Sequence, residues 1–188
     1  MQDAAHTLFN ATRLDVRSFA QAGASLKGED SLSNYERLAQ DLRRLPADWA
    51  DKKLHWQLRG EAVTPTGSPL QVWLHLQAHA HLPLTCQRCL GAVDVPVVID
   101  SHYRFVADEA TALAEDEVSD EDVLVLSKQF DAQALMEDEL LMAVPIVPKH
   151  EVCPSVVKLA STDEEFKAAL TQKPNAFAAL GVLKKLES

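Results

Sequence analysis

The residues of this chain best equipped for chemistry are three cysteines, at 86, 89 and 153, and a histidine at 150. Cys86 and Cys89 lie three apart in "LTCQRCL". Sixty residues further on, "KHEVCP" sets His150 and Cys153 at the same spacing. Three readings compete. A redox pair needs its CxxC to open a helix, where the N-terminal dipole lowers one thiol's pKa. Here a strand pattern follows and Gly91 marks a turn, which weakens that case. Two small buried hydrophobes are a second reading, although Gln87, Arg88 and Gly91 place the pair in a polar loop. The third is a Cys3His set, a usual composition for a closed tetrahedral structural zinc site. It uses every cysteine and ties two distant loops together. Zinc, as a structural cofactor, is the favoured reading; an unmetallated cluster and a redox pair stay open beside it.

Other candidates are weaker. His75, His79 and His81 share one face of a strand, with His102 as a possible fourth ligand, but Gln71, Trp73 and Gln77 give that face a solvent or interface character. Trp73 on it is a candidate anchor for a partner. Glu137, Asp138 and Glu139 are consecutive on a helix and do not face one another, which argues against a catalytic carboxylate pair. They read as a solvated face or as an acidic edge for a basic partner. Arg43–Arg44 and Lys52–Lys53 form the best basic patch, read as a solvated helix end and turn. No P-loop, GxGxxG, GxSxG or HExxH is present, so no active site is expected.

The elements that must position the cluster are legible from periodicity. "SNYERLAQDLRRLP" (33–46) reads as an amphipathic helix opened by a Ser33–Glu36 capping box. In 54–63, Leu54, Trp56 and Leu58 take one side of a strand. "TPTGSP" turns the chain, and 70–82 alternates from Leu70 to Leu82. Val93, Val95, Val97 and Ile99 resume the alternation, so the CxxC segment connects two strands. Residues 107–122 carry eight acids and no base, and read as a mobile acidic loop. "VLVL" (123–126) is a candidate strand. Residues 130–144 form a helix with Asp131 as N-cap, ended by "PIVPKHEVCP". The tail holds a second capping box, Thr162 with Glu165, and a short helix at 176–187 whose apolar face includes Phe177.

The chain has 188 residues, 47% of them apolar, and a net charge of −10. Residues 101–188 hold 17 acids against 8 bases, whereas residues 1–100 are close to neutral. Such a balance lacks the clustered cations that phosphate backbones require, so a basic protein is the expected contact rather than nucleic acid. No apolar run is long enough to span a bilayer, and the N-terminus lacks the pattern of a secretory signal. A cytoplasmic protein without disulfides and without membrane contact is expected.

Three stretches, in order, give the chain a resemblance: "CQRCL", "LMEDELLMAVPIVPKHEVC" and "KPNAFAAL", with the acidic stretch between the first two. Together they resemble the bacterial YceD family, the large ribosomal RNA subunit accumulation proteins, over about residues 10–187. The resemblance implies a part in accumulation of 23S rRNA, and so in large-subunit biogenesis. It places Cys86, Cys89, Glu137, Asp138, Glu139, Pro145, Pro148, His150 and Cys153 on the family's motif. One position departs: the usual Asn-Pro-Phe reads Asn175-Ala176-Phe177 here.

The expected fold is α+β: an antiparallel sheet of about four or five strands with packed helices, built from hairpins rather than βαβ units. Residues 1–154 form the core domain, with the acidic loop at 107–122, and 155–188 a helical tail. The expected function is a non-enzymatic ribosome biogenesis factor. Its partner is a ribosomal protein or a large-subunit assembly factor, met through Glu137, Asp138, Glu139, Trp73 and Phe177, with rRNA contact indirect. The alternatives are a zinc-stapled module that binds rRNA directly and a CxxC thiol oxidoreductase.

Overall fold

Alternation of apolar and polar residues builds the body of the structure, a computed structural model that describes residues 9–42, 49, 51–67, 69–155, 161, 163–166 and 168. The chain divides into two units, Met1–Val152 and Cys153–Ser188. In the first, strands β1 (Ser25–Ser31), β2 (Lys53–Val63), β3 (Gln71–Thr85), β4 (Ala92–Val106) and β5 (Asp122–Val125) form one sheet in the order β1-β2-β3-β4-β5. Among the described residues β1 does not pair with β5, and the sheet is open.

Leu54 and Leu58 on β2, Leu74, Leu76 and Leu82 on β3, and Val97 and Ile99 on β4 face one side and are buried. Each leucine taken from water contributes roughly 1.5–3 kcal/mol. Short helices cover that side: α1 (Val16–Gln21) lies against β2 and β3, and α4 (Ala132–Ala143) against β4, with α2 (Glu36–Leu42) beside α4. Two glycines make room. A Cβ on Gly60 would stand 2.8 Å from the Ala20 backbone, so α1 rests directly on β2. A Cβ on Gly28 would collide with the Trp56 ring, which lies across β1 and donates its indole N–H to Asp30 at 2.6 Å.

The structure bears out the α+β class, the β2–β3 hairpin, β5, and α4 with Asp131 as its cap; the Asp131 carboxylate accepts from the N–H groups of Gln133 and Ala134. It corrects three expectations. The sheet is mixed, because β5 runs parallel to β4. Parallel neighbours need a crossover of a dozen residues or more, usually helical. The acidic segment between Val106 and Asp122 supplies it, so 107–122 is not a loop but holds α3 (Glu109–Asp116). Asp108 caps that helix through the Thr111 N–H at 2.9 Å, Ala112 is buried, and Arg104 on β4 pairs with Glu115 and donates to Ser119. Local capping and one buried contact thus prevail over the charge of the segment. Finally, Ser33 does not cap α2. It sits in a 3-10 turn, Leu32–Asn34, capped by Ser31. The sequence reading passed over α1 and β1, since six residues are too short to show a helical period and β1 buries little besides Leu26. Arg43, Arg44, Thr162 and the helix expected at 176–187 with Phe177 lie outside the described residues.

Candidate metal centre

The β3–β4 connection is a tight turn. The Cys86 N–H donates to the Gly91 carbonyl and the Leu90 N–H to the Cys86 carbonyl, both at 2.8 Å. Closing this ring puts Leu90 in the left-handed region, at φ 59°. The turn folds the backbone around the Cys86 sulfur, which is fully buried.

The second loop leaves α4 where prolines bar further helix, at Pro145 and Pro148. It is joined to the first by backbone and by one arginine. The Gln87 N–H donates to the Pro148 carbonyl at 2.8 Å. The Arg88 guanidinium donates to the carbonyls of His150 at 2.6 Å and Glu151 at 3.1 Å. These bonds bring the two halves of the motif together: one ligand atom each from Cys86, Cys89, His150 and Cys153 lies within 4.8 Å of all the others.

Two features bear on what this group can hold. The first is the histidine's orientation. His150 Nε2 lies 3.0 Å from the Ala92 carbonyl, which can only accept, so Nε2 carries the proton and Nδ1 is left with a lone pair. Metal-bound histidines are held in this way, with the far nitrogen tied to a carbonyl or carboxylate. Nδ1 stands 3.5 Å from Cys89 Sγ. Tetrahedral zinc, with bonds of about 2.3 Å to sulfur and 2.0–2.1 Å to nitrogen, sets that edge at about 3.6 Å. The second is the sulfur's acidity. Burial pushes the Cys86 thiol up, but N–H groups of Cys89, His150 and Arg88 point at Sγ, the Cys89 side chain adds to them, and together they bring it to about 5. A thiolate is the metal-binding form. The donor set therefore fits zinc.

The remaining sequence candidates fall elsewhere. Glu137 is committed within the fold: its carboxylate accepts from the N–H groups of Arg37 at 2.7 Å and Leu38 at 3.3 Å, at the start of α2, and pairs with the Arg37 guanidinium at 3.0 Å. Asp138 shares Arg37 at 2.6 Å, and Glu139 accepts from the Ser101 hydroxyl at 3.0 Å. Trp73 is half-buried and lines a groove with Arg59, Glu61, Val63, His75 and His102. His79 stacks on His55, and His81 pairs with Asp94, so the three strand histidines do not converge. The sequence reading missed Asp100, which joins His75 and His102; strand register alone reveals it.

A mixed-sheet α+β protein with a Cys3His cluster between its β3–β4 turn and the exit of α4 is the class these features define. The chain belongs to the family described as large ribosomal RNA subunit accumulation protein YceD, whose match covers residues 74–184 and so contains all four cluster residues. No curated protein and no solved structure matches the chain. Among the described residues no helix is long and apolar enough to cross a membrane. Membership connects the chain with accumulation of large-subunit ribosomal RNA.

Proposed function

We propose that this chain is a non-catalytic, cytoplasmic factor in large-subunit assembly, which supports 23S rRNA by way of a basic ribosomal protein or an assembly factor. Cys86, Cys89, His150 and Cys153 hold a structural zinc ion. Zinc with four protein ligands is closed to substrate, and its work is to fix the β3–β4 turn to the loop leaving α4. The chain supplies the rest: Ala92 orients His150, and Arg88 holds the second loop by its carbonyls.

The observation that carries the indirect route to RNA is the exposed acid excess around α3, set against five cations engaged within the fold. Lys52 pairs with Asp94 at 3.0 Å, Lys53 with Glu29, Arg37 with Glu137 and Asp138, and Arg104 with Glu115. Arg88 is turned to backbone carbonyls. Phosphates would have to displace these partners. By contrast Glu109, Glu117, Asp120 and Glu121, around α3, are exposed. They attract a basic partner, while Trp73 and the tail around Phe177 give specificity.

The test is gradient sedimentation of a cell lysate containing the chain tagged at its N-terminus, beside its Cys86→Ser/Cys89→Ser version. Wild type is expected to travel with large-subunit precursors and the double variant to stay at the top. Wild type staying at the top overturns stable attachment to the particle. Co-migration of both keeps the assembly role and removes the cluster from it.

A further inference from the structure

We propose a second metal site, on the solvent face of the sheet, in which His75, Asp100 and His102 bind a divalent transition-metal ion such as zinc or nickel. The strand register creates it. His75 on β3 stands directly opposite His102 on β4, and Asp100 lies two residues along β4, on the same face. The two imidazoles are stacked, 14° apart with centroids at 3.9 Å, so joint binding of one ion requires the exposed His102 ring to turn out of the stack and bring its lone pair to the ion. One ligand atom from each of the three residues lies within 4.8 Å of the others.

The ring of His75 already points its Nε2 at Asp100 Oδ1, at 2.5 Å. An ion between them, at about 2.0–2.2 Å from each, needs that separation to be about 3.4 Å. The side chain of Asp100 is 57% exposed, so its carboxylate can swing out by about an ångström while the paired strands stay fixed. Its other oxygen has a guide, since the Gln77 side-chain amide lies 3.4 Å from Oδ2. Such outer contacts orient metal-binding carboxylates.

Ligand chemistry sets the class of ion. Two imidazoles and one carboxylate suit zinc, nickel and copper rather than magnesium or calcium, which prefer all-oxygen shells. Three protein ligands also leave coordination positions open, unlike the cysteine cluster. His75 and His102 help line a groove of about 370 Å³, whose other walls include Arg59, Glu61 and Trp73. A water or anion on the ion would therefore lie in the groove with the Arg59 guanidinium.

The experiment is metal counting by mass spectrometry on the purified full chain after dialysis against buffered zinc. Two ions per chain are expected, with one lost in His75→Gln/His102→Gln and the other in Cys86→Ser/Cys89→Ser. Far-UV circular dichroism checks the fold, and the glutamines keep size and polarity on an exposed face. Asp100→Asn, which leaves both rings in place, should weaken the second ion by more than about a hundredfold, beyond the cost of losing a mere outer partner. A single ion that survives the glutamine variant overturns the site, as does no ion at all, or a second ion indifferent to His75 and His102. A single ion lost only in the glutamine variant upholds this site and removes the cysteine one.

Discussion

Leu90 shows how the cluster constrains its own sequence. The turn that wraps Cys86 forces residue 90 to a positive φ, where a leucine Cβ crowds the carbonyl at about 1–2 kcal/mol. The side chain is 76% exposed and gives little burial in return. Leu90→Gly relieves the strain, and the greater freedom of an unfolded glycine takes back about 0.5–1 kcal/mol. A net gain of roughly 0.5–1 kcal/mol is expected, read as a higher urea midpoint with an unchanged slope. A lower midpoint would show that the leucine side chain itself is needed. That these four residues gather was legible from residue type and spacing, because paired Cys/His loops of this spacing are usual in tetrahedral zinc sites. Their environment was not: that the Ala92 carbonyl orients His150 depends on how β4 passes the second loop.

Among the elements, α2 and α3 were the hardest to read, and for different reasons. α2 takes its N-terminal support from another helix: the Glu137 carboxylate on α4 accepts the first N–H groups of α2 and binds Arg37. A capping pattern in the sequence shows only local donors, so Ser33 stood in for a cap that comes from a hundred residues away. Glu137→Ala is expected to destabilise the fold by about 1–2 kcal/mol, the cost of a lost cap, by chemical denaturation. Arg37→Ala keeps the backbone bonds, and its half-exposed, screened ion pair is worth less, so it should cost less than Glu137→Ala. Equal losses would mean that the ion pair rather than the cap matters. α3 was hidden by its charge, but its Asp108 cap gives it a signature in acid. The Thr111 N–H and hydroxyl hold the Asp108 carboxyl below its ordinary value. A group depressed in the folded state contributes stability that is complete above its unfolded pKa of about 3.9 and is lost as pH falls through the lower folded one. Asparagine caps about as well and does not titrate. Asp108→Asn should therefore match wild type at pH 7 and lose stability less steeply below about pH 4. Parallel acid slopes for the two proteins would remove Asp108 from the account.

The molecule as a whole separates its charges. Arg37, Lys52, Lys53 and Arg104 find carboxylates within the fold, while acids around α3 extend into water. The strand alternation made the sheet's buried face readable, and the net charge of −10 was plain from composition. What composition did not give is that the acidic segment folds around a crossover helix, held to β4 by Arg104, with Glu109, Glu115 and Asp116 on the helix and the other acids beside it. In the proposed role these exposed acids attract a basic partner by charge. Attraction between exposed charges is screened over about 10 Å at 0.1 M salt and about 3 Å at 1 M. Capture of ribosomal proteins by the immobilised chain should therefore fall at least severalfold between those concentrations. Glu109→Gln/Glu117→Gln/Asp120→Asn/Glu121→Asn would lower capture at 0.1 M and weaken the salt dependence, because it removes four exposed charges and leaves Asp108 and Glu115 to hold the helix. Capture that stays constant with salt, or a variant that binds like wild type, would take these acids out of recognition and leave the groove beside Trp73 as the surface to test.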